Sequence, residues 1–351
     1  MKDKVAIKGR NIGPGHPVYI IAELSANHGQ SFERACETIR AMKEAGADAV
    51  KLQTYTPDTM TIQCDREEFR IGKGSPWEGK TLYELYGEAY TPWEWQPKLK
   101  AMAEDLGLAC FSTPFDATAV EFLEKMDVPA YKIASFELTD LPLIERVART
   151  GKPLILSTGM ASAEEIQEAA DCARNADNDQ IILLKCTSAY PAAAEEMNLR
   201  TIPDMYERFG VPVGLSDHSL ELAVPVAAVA LGACVIEKHF CLSRKEKGPD
   251  TAFSLEPEEF RAMVTAVRRA QTALGSVQFA PTEKEQASRV FRRSLFTVRD
   301  IAKGETFTAE NVRCIRPGYG LPPKEIKNVL GRKARTAISR GTPLSWENVF
   351  K

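Results

Sequence analysis

Short apolar runs alternate with amphipathic stretches along the chain from Val18 to Leu274. The apolar runs predict strands at Val18–Leu24, Ala49–Gln53, Leu108–Ser112, Ala130–Ala134, Leu154–Ser157, Gln180–Thr187, Val211–Ser216 and Cys234–Lys238. The amphipathic stretches predict helices at Phe32–Ala45, Trp93–Leu106, Ala117–Met126, Leu141–Thr150, Ala163–Ala173, Leu199–Phe209, Glu221–Leu231 and Glu256–Leu274. Near-continuous apolar runs are typical of parallel strands covered on both faces, and eight such units predict a (β/α)8 barrel. An open doubly wound sheet is the alternative, but the sequence shows no Gly-rich dinucleotide fingerprint.

Two segments depart from this alternation of predicted strands and helices. The stretch Tyr55–Trp93 carries Pro, Gly and aromatic residues and is too long for an ordinary loop, so we expect a functional excursion over the active face. After the helix that closes the barrel, the pattern changes to short β-like runs and turns. We therefore predict a barrel domain at residues 1–276, a linker at 277–289 and a separate small domain at 290–351.

Composition and charge restrict the class of protein. The net charge is −3, with 44% apolar and 26% charged residues, which is ordinary for a soluble globular protein. The start of the chain is not a signal peptide, and no apolar run is long enough for a membrane helix, so we expect no membrane partner. The eight cysteines form no CxxC pair, which favours a reducing cytoplasm over a disulfide framework.

The charge is unevenly distributed. Residues 291–351 contain 13 Lys and Arg against 5 Asp and Glu, a net +8, and the rest of the chain carries −11. A basic tail beside an acidic body suggests that the two attract each other, within one chain or between subunits. A nucleic-acid arm is the alternative, but no basic helix interleaved with aromatic residues supports it.

His218 and His239 each follow one of two successive apolar runs. In a parallel barrel both would lie at the carboxyl ends of neighbouring strands, where such folds carry their chemistry. Two neutral imidazoles with nearby oxygen donors can hold a divalent metal and leave positions open for substrate. The alternative is that His218 caps a turn and His239 is a buried, hydrogen-bonded histidine.

Lys51 and Lys132 lie inside predicted buried strands, and a buried lysine needs a paired charge or a bound anion. Serine and threonine residues end several neighbouring strands and add neutral donors. Together they predict a site for a small, multiply charged anion such as a phosphate ester. Internal ion pairs, with Glu23 and Glu237 as partners, are the alternative.

The strand ends resemble those of the sialic acid synthase family, which condenses phosphoenolpyruvate with an amino sugar. The matching motifs are IAELSANHGQ, ADAVKLQTY, CFSTPFD, YKIASFE, LILSTGM, LLKCTSAYP, GLSDHS, IEKHF and GPDTAFSL. The tail, RRSLFTVRDIAKGETFTAENV followed by RPGYG, resembles the antifreeze-like SAF domain of the same enzymes. The resemblance covers essentially the whole chain. Within the family, AELSANH and YKIASFELTD are most similar to the branch that makes pseudaminic acid from 2,4-diacetamido-2,4,6-trideoxy-altrose.

The resemblance implies a role for each matching residue. Glu23, His218 and His239 would be catalytic, and the two histidines would bind a divalent metal, Mn, Mg or Co. The phosphoenolpyruvate site would comprise Lys51, Thr113, Lys132, Ser135, Ser157, Ser188 and Ser216. The sugar would contact Glu23, Gln53, Tyr190 and Asp250. Arg316 would reach the sugar from the partner subunit of a domain-swapped homodimer.

Three rival functions stay open. The same reaction on another sugar would give N-acetylneuraminic or legionaminic acid. A protein of a different class would bind a sugar or an anion without turnover. The nucleic-acid arm predicts salt-dependent binding to DNA or RNA.

Overall fold

The computed structural model describes residues 3–72, 74 and 77–350 and divides into two units, Met1–Gly275 and Ser276–Lys351. Three positions of the Tyr55–Trp93 excursion, residues 73, 75 and 76, lie outside the described residues. The first unit opens with an antiparallel hairpin of β1 (Val5–Ile7) and β2 (Arg10–Ile12). Val5, Ile7 and Ile12 are buried in the core of this unit.

Eight parallel strands form a closed barrel, which confirms the predicted fold class. They are β3 (Tyr19–Glu23), β4 (Ala49–Thr54), β5 (Ala109–Pro114), β6 (Tyr131–Ile133), β7 (Leu154–Ser157), β8 (Ile181–Cys186), β9 (Val213–Asp217) and β10 (Val235–His239). Neighbours along the chain pair in order, and β10 pairs with β3 to close the ring. Nearly every residue of these strands is buried, because side chains fill the barrel on one face and helices cover the other.

Helices follow the strands and cover the barrel. Those of the first unit are α1 (Phe32–Glu44), α2 (Pro57–Met60), α3 (Leu82–Ala89), α4 (Gln96–Asp105), α5 (Ala117–Lys125), α6 (Leu141–Ala148), α7 (Ala163–Asn175), α8 (Thr201–Phe209), α9 (Ala223–Ala230) and α10 (Pro257–Leu274). Side-chain caps fix several starts: Ser31 caps α1, and Ser162 with Glu165 forms a capping box on α7. In the described parts of the chain, no helix is long and apolar enough to cross a membrane.

Strand register brings polar side chains together at one rim. Glu23 of β3 lies opposite Lys51 of β4 on one side and opposite His239 of β10 on the other. Glu237 of β10 lies opposite Ser216 of β9. Because all eight strands run in the same direction, their carboxyl ends meet at one face of the barrel, and the candidate site lies there.

The excursion between β4 and α4 has its own local structure. Helix α2 packs against α3, and a single β-bridge joins Arg70 to Thr81. Thr81 begins α3 with a capping box, in which Glu84 accepts a hydrogen bond from the Thr81 backbone at 2.8 Å. These contacts give the described part of the excursion a defined fold.

The second unit has a small core of its own, formed by Leu295, Ile301, Phe307, Val312, Val329, Ala334, Ile338, Leu344 and Val349. Strands β11 (Ser294–Thr297) and β12 (Val312–Ile315) pair antiparallel, and α12 (Ile326–Val329) lies in the segment after them. The stretch predicted as a linker contains a short helix, α11 (Glu283–Ser288).

Candidate active site

A cavity of about 530 Å³ opens at the carboxyl ends of the barrel strands. Most of the residues singled out from the sequence line it. They are Glu23, Lys51, Gln53, Lys132, Ser135, Ser157, Ser188, Tyr190, Ser216, His218, His239 and Asp250. The fold therefore gathers residues from β3 to β10 and the loops after them into a single site.

Two predicted site residues lie elsewhere. Thr113 is buried in β5, opposite Gln53 of β4, and the described lining of the cavity does not include it. Arg316 is exposed in the second unit and precedes a cis peptide bond to Pro317. A direct contact between Thr113 and a ligand in this cavity is thus not supported by the lining.

Two lysines and two glutamates form a buried network on the cavity floor. The Lys51 Nζ lies 2.9 Å from Glu23 Oε2 and 2.8 Å from Glu237 Oε1. The Lys132 Nζ lies 3.6 Å from Glu237 Oε1 and 2.6 Å from the Ser157 hydroxyl. The ion pairs predicted as the alternative role of the two lysines are thus confirmed. The same cations still face the cavity, so the pairing leaves them available to an anion.

Burial and the neighbouring charges shift the pKa values of the residues in this network. Burial alone would raise the pKa of Glu23, but His239 and Lys51 outweigh it and hold that pKa well below its usual range. Burial would likewise raise the pKa of Glu237, and Lys132 and Lys51 lower it. Burial lowers the pKa of Lys132 despite the attraction of Glu237. Both carboxylates are therefore ionised at neutral pH, and Glu23 is suited to bind a cation or orient a substrate rather than to exchange a proton.

His218 and His239 come together as predicted, with ring centroids 5.4 Å apart. The His218 Nδ1 lies 3.0 Å from the Thr187 carbonyl oxygen and donates to it, so in the neutral form of the ring the lone pair lies on Nε2. Burial lowers the pKa of His239, which keeps its ring neutral. The His239 Nε2 lies 3.2 Å from Glu23 Oε2, and its buried Nδ1 finds no hydrogen-bond partner in the described chain.

This donor set fits a divalent metal with an incomplete protein shell. Two imidazoles and an adjacent carboxylate are common ligands for Mn and related ions. Among residues 3–72, 74 and 77–350, no three His, Cys, Asp or Glu side chains already converge as a finished metal site. Water and substrate oxygens would have to complete the coordination, as they do in catalytic rather than structural metal sites.

Three hydroxyl-bearing loops meet beside the network. The Gly159 N–H donates to the Ser135 hydroxyl at 3.1 Å. A Cβ at position 159 would lie only 2.2 Å from the Ser188 oxygen and 2.8 Å from the Ser135 oxygen. Glycine at this position therefore allows Ser135 and Ser188 to approach the same small space, where they add neutral donors to the two lysines.

Aromatic side chains enclose the histidines. The Tyr190 ring lies 4.4 Å from the His218 ring and 4.9 Å from that of Phe253, between centroids. The Trp77 ring lies 5.9 Å from Tyr190, and its Nε1 donates to the Pro249 carbonyl at 2.7 Å. Burial raises the pKa of Tyr190, so its hydroxyl stays protonated and can donate a hydrogen bond.

The sequence reasoning missed Glu137, which also lines the cavity. It ends the short 3-10 turn Ser135–Glu137 that follows β6. Burial raises the pKa of this carboxyl to about 7, and its buried Oε2 has no partner within the described residues. A carboxyl that titrates near neutral pH is suited to proton transfer. Its position five residues after Lys132, in the loop beyond the strand, was the available signal.

A second buried ion pair lies in the barrel wall. On β10, Glu237 and His239 line the cavity, whereas Lys238 between them points to the other face, as strand alternation requires. The Lys238 Nζ lies 2.6 Å from Asp217 Oδ2 and also donates to the Ser219 carbonyl. The other Asp217 oxygen accepts from the Ser219 N–H at 2.8 Å. The pair thus links the residue before His239 to the turn that follows His218.

The fold and the site together define a class of protein: a (β/α)8 barrel whose cavity combines two buried lysines with paired histidines, followed by a small second unit. The model of the NeuB family matches residues 38–279, and the model of the SAF domain matches residues 292–349. The chain therefore belongs to the NeuB family.

Relatives and solved structures agree with this assignment. The chain is 49% identical to a pseudaminic acid synthase of Campylobacter jejuni subsp. jejuni, over 95% of this chain and 97% of the relative. It is 46% identical to the pseudaminic acid synthase of Helicobacter pylori, over 95% of this chain and 98% of the relative. A crystal structure of N-acetylneuraminic acid synthetase from Leptospira borgpetersenii in complex with citrate superposes with a TM-score of 0.72 at 32% identity. The superposition covers 81% of this chain and 94% of that one.

Proposed function

We propose that this chain is a pseudaminic acid synthase. It condenses phosphoenolpyruvate with 2,4-diacetamido-2,4,6-trideoxy-altrose and water, giving pseudaminic acid and phosphate. The observation that carries the choice of reaction is the near-full-length similarity, 49% and 46% identity, to two proteins of that name. The cavity supports this chemistry. It combines two buried lysines, which suit a phosphorylated acid, with the neutral His239 ring and with the Glu137 carboxyl, whose pKa is about 7.

The reaction forms a C–C bond and a bond between C2 and a water oxygen, and it breaks the bond between C2 and the phosphate oxygen. C3 of phosphoenolpyruvate attacks the aldehyde carbon of the open-chain sugar, and the aldehyde oxygen takes up a proton. Water adds to C2 of the resulting oxocarbenium ion and loses a proton. The bond between C2 and the phosphate oxygen then breaks as the C2 hydroxyl loses its proton, which gives the C2 ketone. The two protons of the added water end on the former aldehyde oxygen and on the released phosphate.

The residues of the cavity floor serve these steps by position and charge. Lys51 and Lys132 face the phosphate and carboxylate of phosphoenolpyruvate, and the hydroxyls of Ser135, Ser157 and Ser188 donate to the same anion. We assign Glu137 to accept the proton of the attacking water, because its pKa of about 7 matches that task. Gln53, whose Nε2 donates to Glu23 Oε1 at 2.9 Å, orients the Glu23 carboxylate at the sugar.

We also propose a divalent cation, Mn, Mg or Co, held by the His218 and His239 rings beside Glu23. When bound, such a cation polarises an aldehyde oxygen as a Lewis acid. The assignment is supported by the His218 tautomer and the neutral His239 ring. Titration of the protein with Mn, followed by electron paramagnetic resonance, tests it. We expect His239→Asn to weaken Mn binding about tenfold or more, and unchanged binding would remove the metal from this position.

Phosphate release tests the function itself. Purified protein is incubated with phosphoenolpyruvate, Mn and either the altrose-derived sugar or N-acetylmannosamine, each with and without a chelator. We expect release only with the altrose-derived sugar, abolished by the chelator. Release only with N-acetylmannosamine would move the enzyme to the N-acetylneuraminate branch, and release with neither sugar would contradict the proposed reaction.

A domain-swapped homodimer completes the proposal, with Arg316 of one chain at the sugar site of the other. The charge split between a tail of +8 and a body of −11 supports attraction between the two parts. Mixing an Arg316→Ala chain with a Lys132→Met chain tests the exchange. A swapped dimer restores activity, because one mixed site carries neither change. An unswapped arrangement leaves every site defective.

We propose that the enzyme works in the cytoplasm. All eight cysteines are free, and three of them, Cys110, Cys186 and Cys234, lie within or next to barrel strands, which is typical of proteins from reducing compartments.

A further inference from the structure

The cavity is lined by two chemically different groups of residues. Its floor carries Lys51, Lys132, Glu23 and Glu237, together with the serines of the strand ends. A large part of the remaining lining comes from the excursion between β4 and α4. Three half-buried aliphatic side chains of this segment, Met60, Ile71 and Leu82, line the cavity, and we call them the aliphatic wall.

The excursion builds this wall through defined contacts. Met60 ends α2, which packs against α3. The Ile71 N–H donates to the Lys80 carbonyl at 2.9 Å, next to the bridge between Arg70 and Thr81. Ile71 is therefore held close to Leu82, the first residue of α3. The backbone that carries these side chains is thus hydrogen-bonded within the excursion, which helps to position the wall as a binding surface.

We propose that the aliphatic wall is the subsite for the methyl group at the end of the deoxy sugar and selects 6-deoxy over 6-hydroxy substrates. The inference rests on the proposed function, which supplies the orientation. The aldehyde carbon must meet phosphoenolpyruvate at the charged floor. The sixth carbon is at the opposite end of the open-chain sugar, and the aliphatic wall offers a methyl group an apolar surface away from the charged residues of the floor.

The chemistry of the wall sets the size of the effect. Leucine and isoleucine have no donor or acceptor, and the methionine sulfur is only a weak acceptor. A terminal hydroxyl placed there would lose its water without gaining a good partner. Apolar pockets discriminate against an added hydroxyl by only about 10²-fold. We therefore expect the kcat/KM ratio of the two sugars to lie between about 10 and 10² in favour of the deoxy sugar.

The experiment compares two sugars of the same configuration, 2,4-diacetamido-2,4,6-trideoxy-altrose and its 6-hydroxy counterpart. Phosphate release gives kcat/KM for each, on the wild-type protein and on Met60→Gln and Leu82→Asn, which keep the size of the side chain. The ratio should fall at least fivefold in these variants, mainly through slower turnover of the deoxy sugar. Met160→Gln is the matched control, because Met160 is 65% exposed and lies outside the described lining of the cavity. Its ratio should equal that of the wild type.

The ratio separates the possible outcomes, since both sugars are measured on the same preparation and partial misfolding cancels. Equal turnover of both sugars by the wild type would overturn the subsite and leave the proposed reaction standing. An unchanged ratio in both wall variants would also overturn it, even if their overall activity fell. Release with neither sugar would contradict the proposed function, and the inference would fall with it.

Discussion

Two groups of buried ion pairs lie on opposite faces of the barrel sheet, and they differ in how many of their polar atoms find a partner. On the inner face, Lys51 and Lys132 share Glu23 and Glu237, yet the Glu237 Oε2 lacks a partner among the described residues. On the outer face, Lys238 and Asp217 satisfy each other and the turn at Ser219.

The difference shows how a group of buried charges that binds a ligand can be distinguished from one that only stabilises the fold. Both groups are almost completely buried, with side-chain exposures of 4% or less. Burial therefore does not distinguish them. A buried polar atom without a partner has a cost that folding alone does not recover. The incomplete inner group is the one prepared for a ligand, and the complete outer pair holds the two histidine-bearing segments together.

The strongest test of this contrast is Lys238→Met. The change leaves the Asp217 carboxylate buried without its cation, so the free energy of unfolding should fall by about 3–5 kcal/mol. Chemical denaturation followed by circular dichroism measures it. A loss below about 1 kcal/mol would show that the outer pair is not structural.

Lys132→Met should act mainly on catalysis. The lost cation should lower kcat/KM for phosphoenolpyruvate by about 10²–10³-fold, as removal of one charge-stabilising donor commonly does. The stability loss should be smaller than that of Lys238→Met, because Glu237 keeps Lys51 as a partner. Equal stability losses in the two variants would remove the distinction between the inner and outer groups.

Glu137→Gln tests the cavity carboxyl whose buried Oε2 has no partner among the described residues. As a base, Glu137 must be ionised, and its pKa of about 7 means that it is protonated below neutral pH. The kcat/KM of the wild type should therefore decline as pH falls below about 7. In Glu137→Gln this acid limb should disappear, and kcat/KM at pH 8 should be about 10²-fold lower. A variant that keeps the acid limb would exclude Glu137 as its source.

Lys152→Met should have the smallest effect and serves as the control for Lys238→Met. The Lys152 Nζ lies 2.6 Å from Asp127 Oδ1, the same separation as in the outer pair, but the Asp127 side chain is 89% exposed. An exposed ion pair contributes about 0–1 kcal/mol. Denaturation under the same conditions should therefore show a loss within that range. A larger loss would mean that distance, rather than burial, decides the value of these pairs.

Much of the barrel could be predicted from the chain because its strands are fully buried. The predicted strand Val18–Leu24 extends one residue beyond β3 at each end. The predicted strand Ala49–Gln53 begins with β4 and stops one residue before its end. The β1–β2 hairpin was not predicted, because each strand has three residues and its burial depends on contacts with the barrel. Helix α3 was also missed, although its capping box, Thr81 followed by Glu84, is visible in the sequence.

The site residues that lie on the barrel strands could be predicted from the sequence, whereas those in the loops were harder to predict. Lys51 and Lys132 were recognised because charged residues inside apolar runs need a partner, and Glu23 and Glu237 were the expected ones. Thr113 was assigned to the phosphoenolpyruvate site through the family resemblance, yet it is buried in β5, and the described cavity lining does not include it. Glu137 was missed because a loop residue has no periodicity to indicate which way it faces.

The aliphatic wall belongs to one continuous segment, the excursion between β4 and α4. The charged floor is instead formed by residues from several strands of the closed barrel. Changes in the stretch between β4 and α4 can therefore alter which substituent the enzyme accepts at the sixth carbon of the sugar. They need not disturb the hydrogen bonds between barrel strands. Descendants of such a barrel can therefore acquire new substrates while inheriting the same bond-forming chemistry. For protein engineering, this single stretch is the place to diversify.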